Sequence, residues 1–404
     1  MKTIKAGIIG YGQRARGVIS PLLKVSSSAQ IVAVCDTYAD RAEKAMEYVK
    51  EKTGKTCLFT TDANEIINNP EINLVFVFAS WEAHIPLCIQ AMKAGKAVAV
   101  EVAGAYSIKH CWDLVKTYEQ TKTPIMMLEN CCYGKRETMI KRMKDAGFFG
   151  EIVHVDGAYT HDLRGEISDG IKIRHYRLRN YLNRNCDNYP THELGPIARL
   201  LGINHGNRFV SLSSFASKSC GLEQFIKTER RDDTNIQNLR FNQGDVITTV
   251  ITCSGGQTIT LTLNTTLPTF GTRNYNVYGT KAFAHANTRS ICEGSNKEHL
   301  KKAEMGDWST EWNNESSYEE KWMHPMWKEF LASGIKSGHG GMDYLMLKDF
   351  VDCFENEKPM PVDVYDMATW MAVSALSEKS ISLGGAPVEF PDFTNGKWLF
   401  NGQR

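Results

Sequence analysis

A glycine-rich turn near the start of the chain limits the possible folds more than any other stretch of the sequence. Residues 7–17 read GIIGYGQRARG, which places Gly10, Gly12 and Ala15 in a G-x-G-x-x-A arrangement directly after a short β-rich run. The first glycine permits a tight turn, the second lets phosphate oxygens approach the backbone, and the small third residue lets a helix pack closely on the strand. The pattern predicts the first βα unit of a dinucleotide-binding fold.

The first 130 residues alternate between strand-like and helix-like segments. Apolar runs such as INLVFVFA and AVAVEV are separated by helical stretches, several of which end on glycine. Strands that are apolar along almost their whole length are typical of a parallel sheet covered on both faces. We therefore predict an α/β fold, a doubly wound Rossmann sheet, over residues 1–130.

An acidic residue at the end of the second predicted strand indicates the cofactor. Asp36 lies 26 residues after Gly10 (36 − 10), where a carboxylate can bind a ribose 2′-hydroxyl and repels a 2′-phosphate. NAD is therefore favoured over NADP, although Arg14 and Arg41 keep NADP open as an alternative. A glycine turn that binds no ligand is the other interpretation of the motif.

After residue 130 the pattern changes to long β-rich stretches separated by turn residues. Several of them alternate in polarity, which predicts a large, open, mostly antiparallel sheet; they are 151–161, 209–217, 235–241, 246–256, 257–266 and 273–286. Residues 288–320 are polar and are predicted to form a long loop, and three helices close the chain. Two domains follow: a NAD-binding Rossmann domain at 1–130, and an α+β substrate and oligomerisation domain at 131–404, whose C-terminal helices pack back.

Composition excludes several classes of function. The 404 residues carry a net charge of +1, which gives no reason to expect a nucleic acid or an anionic membrane as partner. The eleven cysteines are scattered without a Cys-x-x-Cys pair, so neither a disulfide framework nor a metal site is predicted. The chain enters its first motif at once and has no apolar run near the ~20 residues that a membrane span needs. A cytoplasmic protein with reduced thiols is expected.

The stretch DNYPTHELGP, residues 187–196, carries the candidate chemistry. Tyr189 and His192 stand three apart before the apolar run IARLLG, so in a helix both would lie on one face near its first turn. Histidine can take and return protons near neutral pH, and a tyrosine beside it can donate to or accept from a substrate oxygen. From these residues alone, an acid–base pair and plain packing at a helix end are both open.

An N-terminal dinucleotide fold followed by an open sheet resembles the Gfo/Idh/MocA oxidoreductase family. The fifth strand of that family commonly ends in Glu-Lys-Pro, and the lysine assists proton transfer at the oxidised carbon, whereas this chain has Glu101, Val102 and Ala103. One branch, glycoside hydrolase family 109, the NAD-dependent α-N-acetylgalactosaminidases, is similar in several unusual strings. Between residues 12 and 346 these are, in order, GQR, WEAH, VEVAGA, MMLENCCY, YRLRNYLNRN, YPTHELGP and GHGGMDYLM.

The resemblance, together with the glycine motif, implies a set of site residues. Those expected to contact NAD are Gly10, Gly12, Gln13, Arg14, Asp36, Trp81, His84, Glu101, Val102 and Asn130. Those expected to contact substrate are Tyr133, Tyr159, Arg177, Tyr189, Thr191 and His192, with Tyr189 and His192 catalytic. The family usually has a tyrosine before Ser-Arg, but this chain reads Gly271-Thr272-Arg273, with Phe270 as the nearest aromatic residue, so one sugar contact is expected to be missing. His339 is left without a role, and the open sheet suggests a homo-oligomer.

The activity that the resemblance implies is hydrolysis of a small α-N-acetylgalactosaminide or related α-galactoside. The route is transient oxidation at C3, elimination across C1 and C2, addition of water and re-reduction, which needs no pair of flanking carboxylates. A NAD-dependent sugar dehydrogenase or epimerase is the first alternative, and the absent lysine counts against it. A nucleotide-binding sensor without turnover is the second, and the retained Tyr-x-x-His and Arg177 count against it.

Overall fold

The computed structural model describes residues 2–307 and 312–401, and the chain separates into two units. The first unit comprises the chain up to Gly134 together with Met326–Ala372, and the second comprises Lys135–Pro325 together with the chain from Val373. The first break lies close to the boundary predicted between residues 130 and 131. The segment Met326–Ala372 belongs to the first unit although it follows nearly all of the second in sequence.

The first unit is built on a parallel sheet of six strands. Its N-terminal elements are β1 (Lys5–Ile9), α1 (Gln13–Val25), β2 (Gln30–Cys35), α2 (Ala39–Thr53), β3 (Leu58–Thr60), α3 (Ala63–Ile67), β4 (Leu74–Val77), α4 (Trp81–Lys93), β5 (Ala97–Val100), α5 (Ile108–Thr121) and β6 (Ile125–Met127). The strand order is β3-β2-β1-β4-β5-β6, and every pair is parallel. All residues of β4 and β5 are buried, as their apolar sequences predict. The predicted Rossmann sheet is confirmed.

The rest of the chain adds a second sheet and ten further α-helices among the described residues. The elements are α6 (Lys135–Asp145), β7 (Ile152–Thr160), α7 (Arg164–Ser168), α8 (Arg177–Asn183), α9 (Thr191–Leu201), β8 (Phe209–Ala216), α10 (Gly221–Glu229), β9 (Val246–Cys253), β10 (Thr258–Asn264), β11 (Asn276–Gly279), β12 (Ala282–His285), β13 (Ser290–Glu293), α11 (Lys297–Glu304), α12 (Ser316–Trp322), α13 (Pro325–Ser333), α14 (Met342–Glu355), α15 (Val364–Ser382) and β14 (Val388–Glu389). Of these, α14 and all of α13 except Pro325 belong to the first unit, and the division between the units also falls within α15. Across the described residues, none of the helices combines the length and the apolar character that crossing a bilayer requires.

The second unit is organised around an eight-stranded sheet in the order β13-β12-β11-β7-β10-β9-β8-β14. Only the central pair of β7 and β10 is parallel among these described strands. In β10, Ile259, Leu261 and Leu263 are buried and alternate with half-buried polar residues, so one face of the sheet packs and the other stays open. The predicted mostly antiparallel sheet is confirmed.

A glycine in the middle of β7 brings α9 close to the sheet. A Cβ atom at Gly157 would lie 2.7 Å from Cδ1 of Ile197 and 3.1 Å from Cβ of Glu193, both on α9. A larger residue would push the helix away from the strand. This close approach fixes the start of α9 next to the end of β7, where the candidate substrate residues lie.

Two predictions about individual segments are wrong. Residues 235–241 form turns instead of a strand, because Ile236 and Phe241 are buried in a hydrophobic cluster with residues of α7, α8 and α10 and extend no sheet. Within the predicted loop 288–320, β13, α11 and α12 are formed, and residues 308–311 lie outside the described part. Asn296 caps α11 by accepting from the backbone N atoms of Glu298 and His299, which stabilises the start of a helix that buries no side chain.

Candidate active site

The turn between β1 and α1 forms an anion-binding cradle in the first unit. Gly10 has φ +93°, and a Cβ atom there would lie 2.6 Å from the carbonyl carbon of Phe78, so only glycine fits. Gly12 precedes α1, and a Cβ placed on it meets no described atom within 4 Å. The first turn of α1 holds no acidic residue, and no described side chain caps it. Its backbone N–H groups are therefore open to a pyrophosphate.

Asp36 follows β2 and is 6% exposed. Its Oδ2 accepts from the backbone N of Tyr11 at 2.8 Å, and its Oδ1 accepts from the backbone N of Tyr38 at 3.0 Å. Each carboxylate oxygen retains a lone pair that can accept from a ribose hydroxyl, while the negative charge opposes a 2′-phosphate. The cradle and this carboxylate together fit NAD.

Arg14, in the first turn of α1, is committed to two carboxylates. Its Nε donates to Oε1 of Glu101 at 2.6 Å, and its Nη1 and Nη2 donate to Oδ2 and Oδ1 of Asp343 at 2.8 and 2.9 Å. Burial lowers the pKa of Arg14, but Glu101 and Asp343 raise it by more, so the net shift is upward. The guanidinium is therefore held by carboxylates and is not the unengaged cation that a 2′-phosphate of NADP would require.

The other predicted cofactor residues lie on elements that follow the strands of the parallel sheet. Gln13 and Trp81 begin α1 and α4, and Val102 follows β5 and is buried. Nε2 of His84 lies 2.9 Å from the carbonyl oxygen of Ala79, and burial lowers the pKa of His84 to about 4. At neutral pH this histidine therefore adds no positive charge to the site. Direct contact of these side chains with NAD stays a prediction.

Three predicted substrate residues meet as an aromatic cluster, Tyr159, Tyr189 and His192, in the second unit. The ring centroids of Tyr159 and Tyr189 are 4.8 Å apart, and those of Tyr159 and His192 are 5.6 Å apart. Tyr189 and His192 lie 4.9 Å apart with their planes at 88°. Because α9 begins at Thr191, Tyr189 lies outside the helix. The two rings thus meet around the turn at Pro190 and not along one helix face as predicted.

Arg177, the first residue of α8, adds a positive charge to the aromatic cluster. Its guanidinium carbon lies 5.1 Å from the centroid of the Tyr189 ring, a cation–π contact, and its Nη1 donates to Oε1 of Glu166 at 2.8 Å. Burial raises the pKa of Tyr159 to about 12, against the opposing effect of Arg177. At neutral pH Tyr159 therefore keeps its proton and can donate a hydrogen bond.

Sequence reasoning misses two polar neighbours of the cluster, His161 and Glu166. Nδ1 of His161 lies 3.1 Å from the hydroxyl of Tyr159, and burial, followed by the charge of Arg177, lowers the pKa of His161. Glu166 holds Arg177 and lies 3.8 Å from Nε2 of His175. The available signal is the polar string HDLRGE, residues 161–166, directly after the strand that carries Tyr159.

Two fully buried polar side chains lie in the segment around the tyrosine and the histidine. Thr191 is 0% exposed, and its Oγ1 has no hydrogen-bond partner among the described residues. A buried hydroxyl in that state costs roughly 1–3 kcal/mol, which a hydrogen bond to a ligand oxygen would offset. Asp187 is also 0% exposed, and burial raises the pKa of Asp187 to about 7.

Two further positions of the predicted site differ from the aromatic cluster in their surroundings. Tyr133 belongs to the first unit, where its hydroxyl donates to Oδ2 of Asp349 at 2.7 Å, and its substrate role stays a prediction. Gly271 belongs to the second unit, and its neighbour Thr272 pairs with Thr160 at the end of β7. A Cβ atom at residue 271 would meet only the backbone O of Thr160, at 3.9 Å, among the described atoms. Position 271 is therefore open space next to the residue that follows Tyr159.

Comparisons with known proteins account for both parts of the chain. Residues 4–128 match the model of the oxidoreductase family, NAD-binding Rossmann fold (Gfo/Idh/MocA), and residues 133–400 match that of the glycosyl hydrolase 109 C-terminal domain. An α-N-acetylgalactosaminidase from Tannerella forsythia is 36% identical over 420 residues, which cover 98% of this chain and 87% of that protein. A glycosyl hydrolase family 109 protein from Parabacteroides distasonis is 35% identical, with 98% and 88% covered. The solved structure of a levoglucosan dehydrogenase with NADH and levoglucosan has a TM-score of 0.70 at 15% identity, covering 96% of this chain and 100% of that chain, which shows a shared fold.

Proposed function

The chain belongs to glycosyl hydrolase family 109, and from this premise we propose that it cleaves small α-N-acetylgalactosaminides or related α-galactosides, with NAD as a bound cofactor that is not consumed. One observation carries the proposal. Tyr159, Arg177 and the Tyr189–His192 pair come from three separate stretches of sequence and meet in one cluster. That cluster contains a proton acceptor, hydroxyl donors and a fixed cation.

NAD, held by the glycine turn and Asp36, supplies a reversible acceptor for the hydrogen on sugar C3. The side chains of the second unit are proposed to move the protons. Tyr189, as its phenolate, takes the proton of the C3 hydroxyl, and His192 takes the C2 proton that a C3 ketone makes acidic. The charge of Arg177 stabilises the enolate oxygen that forms when C2 loses this proton. The enolate becomes an unsaturated ketone as the leaving group departs from C1, and the departing oxygen takes a proton from water. His192 and Tyr189 return their protons when water has added.

A panel of nitrophenyl α- and β-glycosides, assayed with and without added NAD, tests this function. The expected result is release of nitrophenol without net formation of NADH, because each oxidation at C3 is followed by reduction. Steady accumulation of NADH in step with product would instead support the alternative of a sugar dehydrogenase or epimerase. NAD bound to the purified protein without turnover of any glycoside would support the alternative of a nucleotide-binding sensor.

We also infer that the protein works in the cytoplasm on glycosides already inside the cell. All eleven cysteines lie among the described residues, and none of them forms a disulfide, which is typical of a reducing compartment. Fractionation of the native host with an antibody against the chain tests this location. Finding most of the protein in the periplasm or the medium would contradict it.

The open face of the eight-stranded sheet is proposed to bind a second copy of the chain. Phe215 on β8 is 56% exposed and Val250 on β9 is 37% exposed, and the register pairs Val250 with Ser213 and Phe215 with Thr248 on that face. Exposed apolar residues on one face of a sheet suit self-association. Light scattering after size exclusion should give a mass above 45.4 kDa, and Val250→Glu should lower it. A monomeric wild-type protein would contradict the inference.

A further inference from the structure

Asp343 connects the dinucleotide-binding turn with a segment at the far end of the sequence. Arg14 and Asp343 are 329 positions apart, and both belong to the first unit. The helices that carry them run side by side in the same direction. Arg14 and Asp343 pair at their N-terminal ends, and Oγ of Ser26 donates to Oε1 of Glu355 at 2.9 Å at their C-terminal ends. The start of α14 therefore lies beside the start of α1, where the cradle is.

The carboxylate of Asp343 is fully used by protein donors. Its Oδ1 accepts from Nη2 of Arg14 and from Nδ2 of Asn130 at 2.8 Å. Its Oδ2 accepts from Nη1 of Arg14 and lies 2.9 Å from Nδ1 of His339. A carboxylate offers about four acceptor positions, so this one has no capacity left for a ligand. Asp343 can therefore act on a ligand only through the groups that it holds.

The groups held by Asp343 surround the edge at which a parallel sheet binds its ligand. Arg14 follows β1 and Asn130 follows β6, and through Arg14 the carboxylate of Glu101, after β5, is fixed as well. Ligands of open α/β sheets bind outside these C-terminal strand ends. Because the two N–H groups of Arg14 pair with both oxygens of Asp343, the pair also fixes an angle and not only a distance.

We propose that Asp343 is a positioning residue of the dinucleotide site: it clamps Arg14 and Asn130, and through Arg14 it fixes the first turn of α1 that receives the pyrophosphate. In this role Arg14 is a strut and not a direct phosphate ligand. The inference rests on the proposed function in that NAD is the ligand, but it predicts an effect on cofactor retention that is separate from glycoside turnover.

The test measures exchange of bound NAD for labelled NAD in the purified holoenzyme. Asp343→Asn keeps the shape and removes the charge, and we expect NAD to exchange at least tenfold faster. Arg14→Gln should do the same, and the double variant should exchange no faster than the faster single variant, because both remove one interaction. Asp352→Asn is the matched control, since Asp352 lies on the same helix, is exposed, and pairs through its carboxylate with Lys358. It should exchange at the wild-type rate.

The outcomes separate positioning from folding and from the proposed function. Exchange within twofold of wild type in folded Asp343→Asn, whatever its melting temperature, would overturn the inference, and so would additive effects in the double variant. If Asp343→Asn does not fold, Asp343→Glu keeps the charge but displaces the paired oxygens, and faster exchange is again expected. A wild-type protein that neither carries nor takes up NAD would contradict the proposed function itself.

Discussion

Asp343 in the first unit and Asp187 in the second are buried carboxylates whose pKa values shift in opposite directions. In the first unit the carboxylate of Asp343 has a guanidinium, an amide and a histidine as partners. Burial by itself would raise its pKa, but the hydrogen bonds from His339 and Arg14 hold the pKa of Asp343 well below its usual range. In the second unit burial raises the pKa of Asp187 to about 7, and Thr191 buries a hydroxyl without a partner among the described residues.

This difference matches two kinds of ligand. A network whose polar groups are satisfied within the protein is rigid before any ligand arrives, which suits a cofactor that stays bound. A buried polar group without a partner gains a hydrogen bond when a substrate binds to it. The free-energy cost of its burial is then removed, which favours binding. On this view the second unit carries the chemistry and the selectivity, while the first retains the cofactor.

The largest effect is expected from His192→Ala. Loss of the proposed C2 base should lower kcat by roughly 10²–10⁴, while the NAD content of the purified protein should not change. Tyr189→Phe removes only the hydroxyl and should also lower kcat. His299→Ala, at an exposed position of α11, is the matched control. A substrate deuterated at C2 reports removal of the C2 proton as loss of deuterium to solvent. Near-wild-type turnover and unchanged loss of deuterium in His192→Ala would leave His192 as a packing residue.

The two buried aspartates should respond to pH with opposite sign. Because the pKa of Asp187 rises from 3.8 to about 7 on folding, the native state holds a proton that the unfolded state has lost, so its stability falls as pH rises through that window. Asp187→Asn should therefore stabilise the protein above pH 7, by on the order of 4 kcal/mol at most, with a smaller gain at pH 5. Asp343→Asn should destabilise it at neutral pH, because a lowered pKa stabilises the native state above the unfolded pKa.

Urea unfolding at pH 5 and pH 8 gives the free energy of unfolding of the wild type and of both aspartate variants. A gain for Asp187→Asn that does not grow with pH would show that the carboxyl group is not neutral in the native state.

A smaller effect is expected from Gly271→Tyr, which supplies the side chain that the family usually has. The position has open space beside β7, so the variant should fold. It should shift the ratio of kcat/KM for α-N-acetylgalactosaminide over α-galactoside by roughly ten- to hundred-fold. Phe270→Ala, at a neighbouring side chain that is 94% exposed, should leave the ratio unchanged. An unchanged ratio in Gly271→Tyr, or a strict wild-type preference for the first substrate, would show that the missing tyrosine does not set the choice between these sugars.

The smallest effect is expected from Thr191→Val. Losing one hydrogen bond to the sugar should raise KM by roughly two- to tenfold, while the melting temperature should not fall, because the hydroxyl has no described partner to lose. Thr191→Ser keeps the hydroxyl and should restore KM. A melting temperature several degrees lower in the valine variant would show that the hydroxyl already stabilises the protein.

Local patterns in the sequence were sufficient for both sheets but not for the contacts between distant residues. The glycine turn and the apolar strands predict the parallel sheet, because a strand that is buried on both faces consists almost wholly of apolar residues. No local pattern pairs Arg14 with Asp343, because 329 positions separate them. Residues 235–241 show why a β-rich composition can mislead: Ile236 and Phe241 are apolar because they join a cluster between helices.

The site shows the same limit. The spacing of Tyr189 and His192 predicted that the two side chains meet on one helix face. They do meet, but Tyr189 precedes the helix, which starts only at Thr191. The nearness of Tyr159 and Arg177 was available only through family resemblance, because their approach depends on how α8 and α9 lie on β7. His161 and Glu166 were missed because polar residues after a strand are common.

The pairing of α1 with α14 also limits the order in which the chain can fold during synthesis. The nascent dinucleotide-binding sheet emerges early, but the helix that secures its first turn is made only after nearly all of the second unit. Contacts between residues so far apart form slowly, and until then the surface of α1 that α14 covers stays exposed and open to misassembly. We therefore expect ribosome-bound chains that end before Met342 to retain less NAD than chains released after Glu355, and refolding from denaturant to show a slow phase when NAD capture is the probe.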